Sequence, residues 1–239
     1  MAKYLILFII FSLHAEIIET NQMEDILPHI DETTWVLFDI DNTLLESSIQ
    51  AGRAEWFHHE IRKLVAQGLD KETAEELFYP DWDRFMNHCP IRTPEPEIAS
   101  LVKKVQKRCA ASFALTSRHP PLSNLTLRQL KQLDIDFSRH APASVLLKTP
   151  HPTHWEEGIL FASHHNPKGT LFRQFLEKSK KQPPKIVFID DTKHHLLDME
   201  MELEKLGIEF IGVHYTKTFE RPFEAEVAER EFQEILDRL

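Results

Sequence analysis

"VLFDIDNTLL", residues 36–45, passes from apolar to acidic and back to apolar within one short stretch. The residues leading into it, "TWVLF" at 34–38, are β-branched and aromatic and read as a buried strand that ends at Asp39. Two close carboxylates, Asp39 and Asp41, then stand directly beyond a greasy strand, where they repel each other and resist ionising together. Such a cluster calls for a metal ion, a phosphate chemistry or the water around a plain turn.

The same design recurs along the chain. "ASFALT" ends at Thr116 and "KIVFID" ends at Asp190, so three strands deliver polar residues at their carboxyl ends. Helical patterns lie between them: "TPEPEIASLVKKVQKR" has Pro and Glu at its start and Lys and Arg at its end, the charge order that complements a helix dipole. "PKGTLFRQFLEKSKK" has Pro167 near its start, and a helix from His194 is closed by Gly207 before the strand "IEFIGV". Buried strands alternating with helices predict an α/β fold, a mostly parallel Rossmann-like sheet with helices on both faces. Ligands in such sheets bind beyond the carboxyl ends of the strands.

Three further segments carry expectations. Residues 46–96 read as a small helical insertion, with one helix in "RAEWFHHEIRKLVAQGL" and another capped by Asp70. "SVLLK" and "GILFAS", separated by the Pro-rich "TPHPTHWEE", predict a β-hairpin. Ala228, Phe232, Ile235, Leu236 and Leu239 recur at helical spacing, which predicts a last helix packed on the sheet.

Composition narrows the function classes. Hydrophobic residues make up 42% of the 239-residue chain, enough for one real core and against disorder. Lys and Arg number 28 against 38 Asp and Glu, and that acidic balance disfavours a nucleic-acid partner. "MAKYLILFIIFSLHAEI" places Lys3 before an apolar run too short to span a bilayer. It is similar to a secretory signal peptide over residues 1–15, cut after Ala15, which predicts an exported, periplasmic or secreted protein with no membrane partner after cleavage. A buried N-terminal strand is the competing reading. Cys89 and Cys109 lack the spacing of a zinc site; an exported protein could join them in one disulfide, and they read as unpaired thiols before that.

Taken in order, "DIDNT", "LTSR", "NPKG" and "FIDDT" resemble the motifs of the haloacid dehalogenase-like superfamily of phosphohydrolases. The arrangement from residue 36 to about 215 is similar to an exported bacterial branch of that superfamily without an assigned substrate. The resemblance implies a single domain over residues 16–239 whose insertion at 46–96 is a cap, and a Mg²⁺-dependent phosphatase acting on a small-molecule phosphate ester. It makes Asp39 the nucleophile that forms an aspartyl-phosphate, with Asp39, the backbone carbonyl of Asp41 and Asp191 holding Mg²⁺. Asp41 becomes the general acid and base, while Thr116 and Lys168 stabilise the phosphoryl oxygens. Asp190 orients Lys168, and Thr43 supports the loop through its hydroxyl and backbone. Arg118 reads equally as a phosphate contact or as a salt bridge at the start of a helix.

One departure stands out: His195 occupies a position where relatives carry Asp or Asn, four residues beyond Asp191. An imidazole there can hydrogen-bond a metal-bound water. The order of motifs argues against a receiver domain, and Leu44 against a calcium loop, which wants Gly at its sixth position. The doublets His58-His59, His164-His165 and His194-His195 show no ligand spacing with a third partner and read as solvated or capping imidazoles before a second metal site or a proton relay. Trp56, Phe57, Tyr79, Trp82 and Phe85 read as core of the insertion before substrate wall. A non-catalytic binding protein and a phosphotransferase are the alternatives to a phosphatase.

Overall fold

The computed structural model describes residues 15–239. The signal-peptide reading therefore lies, except for Ala15, outside the described residues. The chain builds a seven-stranded sheet from β1 (Ala15–Thr20), β2 (Thr34–Phe38), β5 (Ala111–Thr116), β6 (His154–Glu156), β7 (Ile159–Phe161), β8 (Lys185–Asp190) and β9 (Glu209–Tyr215). The strands lie in the order β1-β9-β8-β2-β5-β7-β6, parallel throughout except for the β6–β7 hairpin at one edge. A separate antiparallel pair, β3 (Glu46–Ser47) and β4 (Ile91–Arg92), joins the two ends of the helical insertion.

Strand alternation decides the layers. In β2, Val36 and Phe38 face one side with Val187, Ile189 and Val213, where α3 (Ile98–Gln106) and α4 (Ser123–Gln132) cover them through Val102 and Leu130. Trp35 and Leu37 face the other side with Phe113 and Phe188, beneath Phe172 and Phe175 of α5 (Lys168–Ser179) and Met199 of α6 (Lys193–Glu204). The central strands are apolar on both faces because both faces are covered. This is the expected α/β architecture with a mostly parallel central sheet.

The insertion forms α1 (Ala54–Ala66) and α2 (Lys71–Met86), and the Asp70 carboxylate caps α2 by accepting from the Thr73 amide at 3.0 Å. The last helix, α7 (Ala225–Leu236), forms where its apolar spacing predicts, but it does not pack on the sheet. Ala228 and Phe232 instead join Trp56, Phe78 and Phe85 in a third core, with the Phe232 ring 4.8 Å from that of Phe85. Glu231 fixes the contact by accepting from the backbone amides of Gln50 and Ala51 at 2.7 and 3.0 Å. The insertion and the C-terminus thus make one helical unit from opposite ends of the sequence.

The hairpin is also shifted from its expected place. "GILF" supplies β7, but its partner is "HWE", and residues 141–153, including "SVLLK", contain neither helix nor strand. The turn explains the choice: Glu157 and Gly158 both have positive φ, 46° and 80°, the geometry of a two-residue hairpin connection. Trp155 of β6 then stacks on Phe175 at 5.1 Å, while Leu146 in the displaced run is 85% exposed.

Candidate active site

The loop after β2 turns back tightly on itself. The amides of Leu44 and Leu45 both donate to the Ile40 carbonyl, at 2.9 and 3.0 Å. Asn42 sits in the left-handed region at φ 60°, which its short polar side chain tolerates. Asn42 Nδ2 donates to Asp191 Oδ2 at 3.0 Å and so ties the first acidic loop to the one after β8. No expectation from the sequence included Asn42.

Parallel register brings the predicted residues to one end of the sheet. Asp39 follows β2, its amide donating to the Ile189 carbonyl of β8 at 2.8 Å, so that Asp39 and Asp190 end adjacent strands. Lys168 opens α5 and is 1% exposed; its ammonium donates to Asp39 Oδ1 at 2.5 Å and to Asp190 Oδ2 at 2.7 Å. Asp190 also accepts from the Thr192 amide at 2.8 Å, and His195 Nδ1 lies 3.1 Å from both its oxygens. Next to Lys168, Gly169 is required by packing, since a Cβ there would stand 2.3 Å from the Asp198 carbonyl oxygen of α6.

Electrostatics divide the carboxylates. Burial alone would raise Asp190, but Lys168 and His195 outweigh it and hold the group below the usual carboxylate range. Burial pushes Asp39 up to about 8 even with Lys168 beside it, and burial together with Asp190 pushes Asp191 up to about 7. Asp39, Asp190 and Asp191 each offer an oxygen within 4.8 Å of the others. One ammonium against three clustered carboxylates leaves negative charge that a hard divalent cation would neutralise, and the all-oxygen donor set fits such a cation. Asp39 and Asp191 are the better ligands, because Asp190 already engages its oxygens with Lys168, Thr192 and His195.

A stability prediction arises from these shifts. Both raised carboxyls have folded values above the unfolded 3.8, so their contribution is complete below about pH 4 and is lost as pH climbs through 7 and 8. Thermal melts in chelator should show the midpoint falling from about pH 4 to about pH 8 and levelling above it, and a millimolar divalent cation such as Mg²⁺ should flatten that fall. A midpoint in chelator that does not change across this interval would contradict the charge surplus.

Of the two readings open for Arg118, the structure shows a salt bridge: its Nε and Nη2 fork onto both oxygens of Asp41 at 2.8 and 2.7 Å, and Nη1 donates to Thr126 and Gln129. The Asp41 side chain remains 48% exposed beside this fork. Thr43 does not support the loop through its hydroxyl, which is buried without a partner; only its amide bonds, to the Ile40 carbonyl at 3.3 Å. Thr116 lies buried at the end of β5, where its hydroxyl accepts from the Arg118 amide at 3.1 Å.

Of the insertion aromatics, Trp56 and Phe85 are buried in the third core, with Phe57 and Trp82 packed against it. Tyr79 departs from them and reaches His164 of the sheet unit at 3.0 Å. Cys89 and Cys109 are free thiols, the first beside Ser47 at 3.2 Å. Among the described residues no helix is long and apolar enough to cross a membrane.

Comparison with known proteins adds relatives without an assigned activity. The chain is 28% identical over 193 residues to a protein named "Putative outer membrane protein" from Chlamydia trachomatis serovar D, covering 80% of this chain and 72% of the relative. A protein of the same description from Chlamydia pneumoniae is 28% identical over 204 residues, covering 84% and 76%. Another from Chlamydia muridarum is 28% identical over 182 residues, covering 76% and 69%. A family model matches residues 19–238, nearly all of the described structure, and by that match the chain belongs to DUF2608, described as "Protein of unknown function".

Proposed function

We propose that this chain is an exported, divalent-metal-dependent phosphohydrolase of the haloacid dehalogenase-like type, cleaving phosphomonoesters of small molecules through an aspartyl-phosphate on Asp39. The observation that carries the reading is the Lys168 ammonium shared between Asp39 and Asp190, at the carboxyl ends of adjacent parallel strands, with Asp191 beside them. Export draws support from the apolar N-terminal run after Lys3 and from the names of the relatives.

Lys168 holds Asp39 Oδ1, which leaves Oδ2 as the attacking atom. A bond forms from Oδ2 to phosphorus as the ester P–O bond breaks, and Asp41 gives its proton to the departing oxygen. Water then attacks the phosphorus of the acyl phosphate, Asp41 takes the proton, and Asp39 is regenerated with release of orthophosphate. Thr116 and Lys168 donate to the phosphoryl oxygens, where negative charge grows. A cation held by Asp39 and Asp191 would supply the neutralisation that lets two anions approach, and would keep Asp39 ionised at neutral pH.

The Arg118 fork favours a second reading, a phosphate-binding protein without turnover, because Asp41 is held by both oxygens. Release of orthophosphate from an aryl phosphate separates the two. The first reading expects turnover with Mg²⁺ and none with chelator; Mg²⁺ and orthophosphate binding without turnover on any of several small esters would favour the second.

A further inference from the structure

Away from the carboxylates, three segments distant in sequence bring nitrogen and oxygen donors together. His119 follows β5, His164 lies in the loop after β7, and Tyr79 belongs to α2 of the helical unit. His119 Nε2 and His164 Nε2 are 2.8 Å apart, and the Tyr79 hydroxyl is 3.0 Å from His164 Nε2. We propose that His119, His164 and Tyr79 form a binding site for a borderline transition-metal ion, Zn²⁺ foremost, that ties the helical unit to the sheet.

The donor chemistry selects the ion. Two imidazole nitrogens with a phenol oxygen suit zinc and its neighbours, unlike the all-carboxylate cluster, which suits a harder cation. In the metal-free state one Nε2 donates to the other, and a cation would take the place of that shared proton. Tetrahedral ligands at zinc bond lengths stand about 3.3 Å apart, so the two nitrogens need to open by only about half an ångström. Solvent then fills the fourth position.

The surroundings hold the two rings in a state fit to bind. Ser163 Oγ lies 2.9 Å from His119 Nδ1, the outer contact that fixes an imidazole's orientation and leaves Nε2 to face a metal. Ser163 is itself anchored by donating its amide to the Arg118 carbonyl at 3.2 Å, and Asn166 closes the same loop on the Ala162 carbonyl at 2.7 Å. Crowding by neighbouring groups and imidazoles lowers both His164 and His119 from the ordinary histidine range, so both rings are neutral at physiological pH. His165 stands behind, its ring 5.1 Å from that of His164. The His164-His165 doublet shows no third partner in the sequence because its partners lie 45 and 85 positions away.

Metal binding here is read without any turnover, so it stands or falls separately from the phosphohydrolase reading. The full chain, stripped with chelator and dialysed, would be titrated with Zn²⁺ and its bound metal counted. Asp191→Asn, which weakens the carboxylate cluster, should still bind one equivalent, whereas His119→Ala and His164→Ala should each bind at least tenfold more weakly while keeping the native circular dichroism. Cu²⁺ should report nitrogen ligation by electron paramagnetic resonance in the parent protein and lose it in the histidine variants. Tyr79→Phe should weaken Zn²⁺ as well. No stoichiometric Zn²⁺, or Zn²⁺ affinity unchanged by both histidine substitutions, overturns the site; unchanged affinity in Tyr79→Phe overturns the tie to the helical unit.

Discussion

On the proposed mechanism, Asp39→Asn is expected to lower turnover of an aryl phosphate by at least about 10³-fold, because an amide oxygen cannot form the acyl phosphate. The same variant is expected to melt higher than the parent in chelator at pH 9. The asparagine keeps an oxygen for Lys168, yet the substitution removes a carboxyl that burial pushes up to about 8 and that is ionised at a cost above that pH. Loss of activity with gain of metal-free stability separates removal of the nucleophile from a simple failure to fold, and it is the trade between function and stability expected of a strained site. A variant that turned over at the parent rate would end the aspartyl-phosphate reading. A variant that melted lower at pH 9 would show that Asp39 is well compensated in the fold.

Lys168→Met is expected to have the largest effect on the fold itself. Methionine fills a similar volume beside Phe188, whose ring lies 5.5 Å from the ammonium, so packing changes little. The charge is what is lost: buried Asp190, which Lys168 and His195 hold ionised, is left without its ammonium counter-ion. Removing one partner of a buried ion pair costs about 3–5 kcal/mol. For a domain of this size each kcal/mol shifts the melting midpoint by about 2–4 °C, so a fall of roughly 6–20 °C is expected at pH 7. Adding Asp190→Asn should restore part of it, since the pair is coupled through one ammonium. A single variant melting within a degree of the parent would show that Asp190 is protonated in the native state and that Lys168 does not neutralise it.

Much of the fold was legible because its signals are local. "TWVLF", "ASFALT" and "KIVFID" are apolar on both faces, and each becomes a central parallel strand; Asp39, Thr116 and Asp190 stand at their ends for the same reason. Partnership was not legible. The apolar stripe of α7 is plain in the sequence, but an amphipathic helix does not record which surface covers it, and Phe232 finds Phe85 in place of the sheet. "SVLLK" has the composition of a strand, yet the positive-φ turn at Glu157 and Gly158 gives the edge of the sheet to "HWE". Composition yielded there to turn geometry. Within the site, motif order located Lys168 and the acidic residues, whereas the Arg118 fork on Asp41, the Asn42 tie to Asp191 and the unpartnered Thr43 hydroxyl depend on side-chain directions that spacing does not encode.

The pairing of β1 with β9 sets the timetable by which this chain can reach its final form. Glu19 lies opposite His214, and α7 is needed further along still to complete the helical unit. A ribosome makes β1 long before β9 exists, so β1 must wait through almost the whole of synthesis with its hydrogen-bonding groups unpaired by the sheet. Closing so distant a contact is entropically slow, and the local βα units around β2, β5 and β8 have every chance to assemble first. The last residues made are therefore the ones that finish both the edge of the sheet and the helical unit. A chain that ends before β9 should retain a partly built protein, with β1 unpaired by the sheet and still accessible to chaperones or a protease.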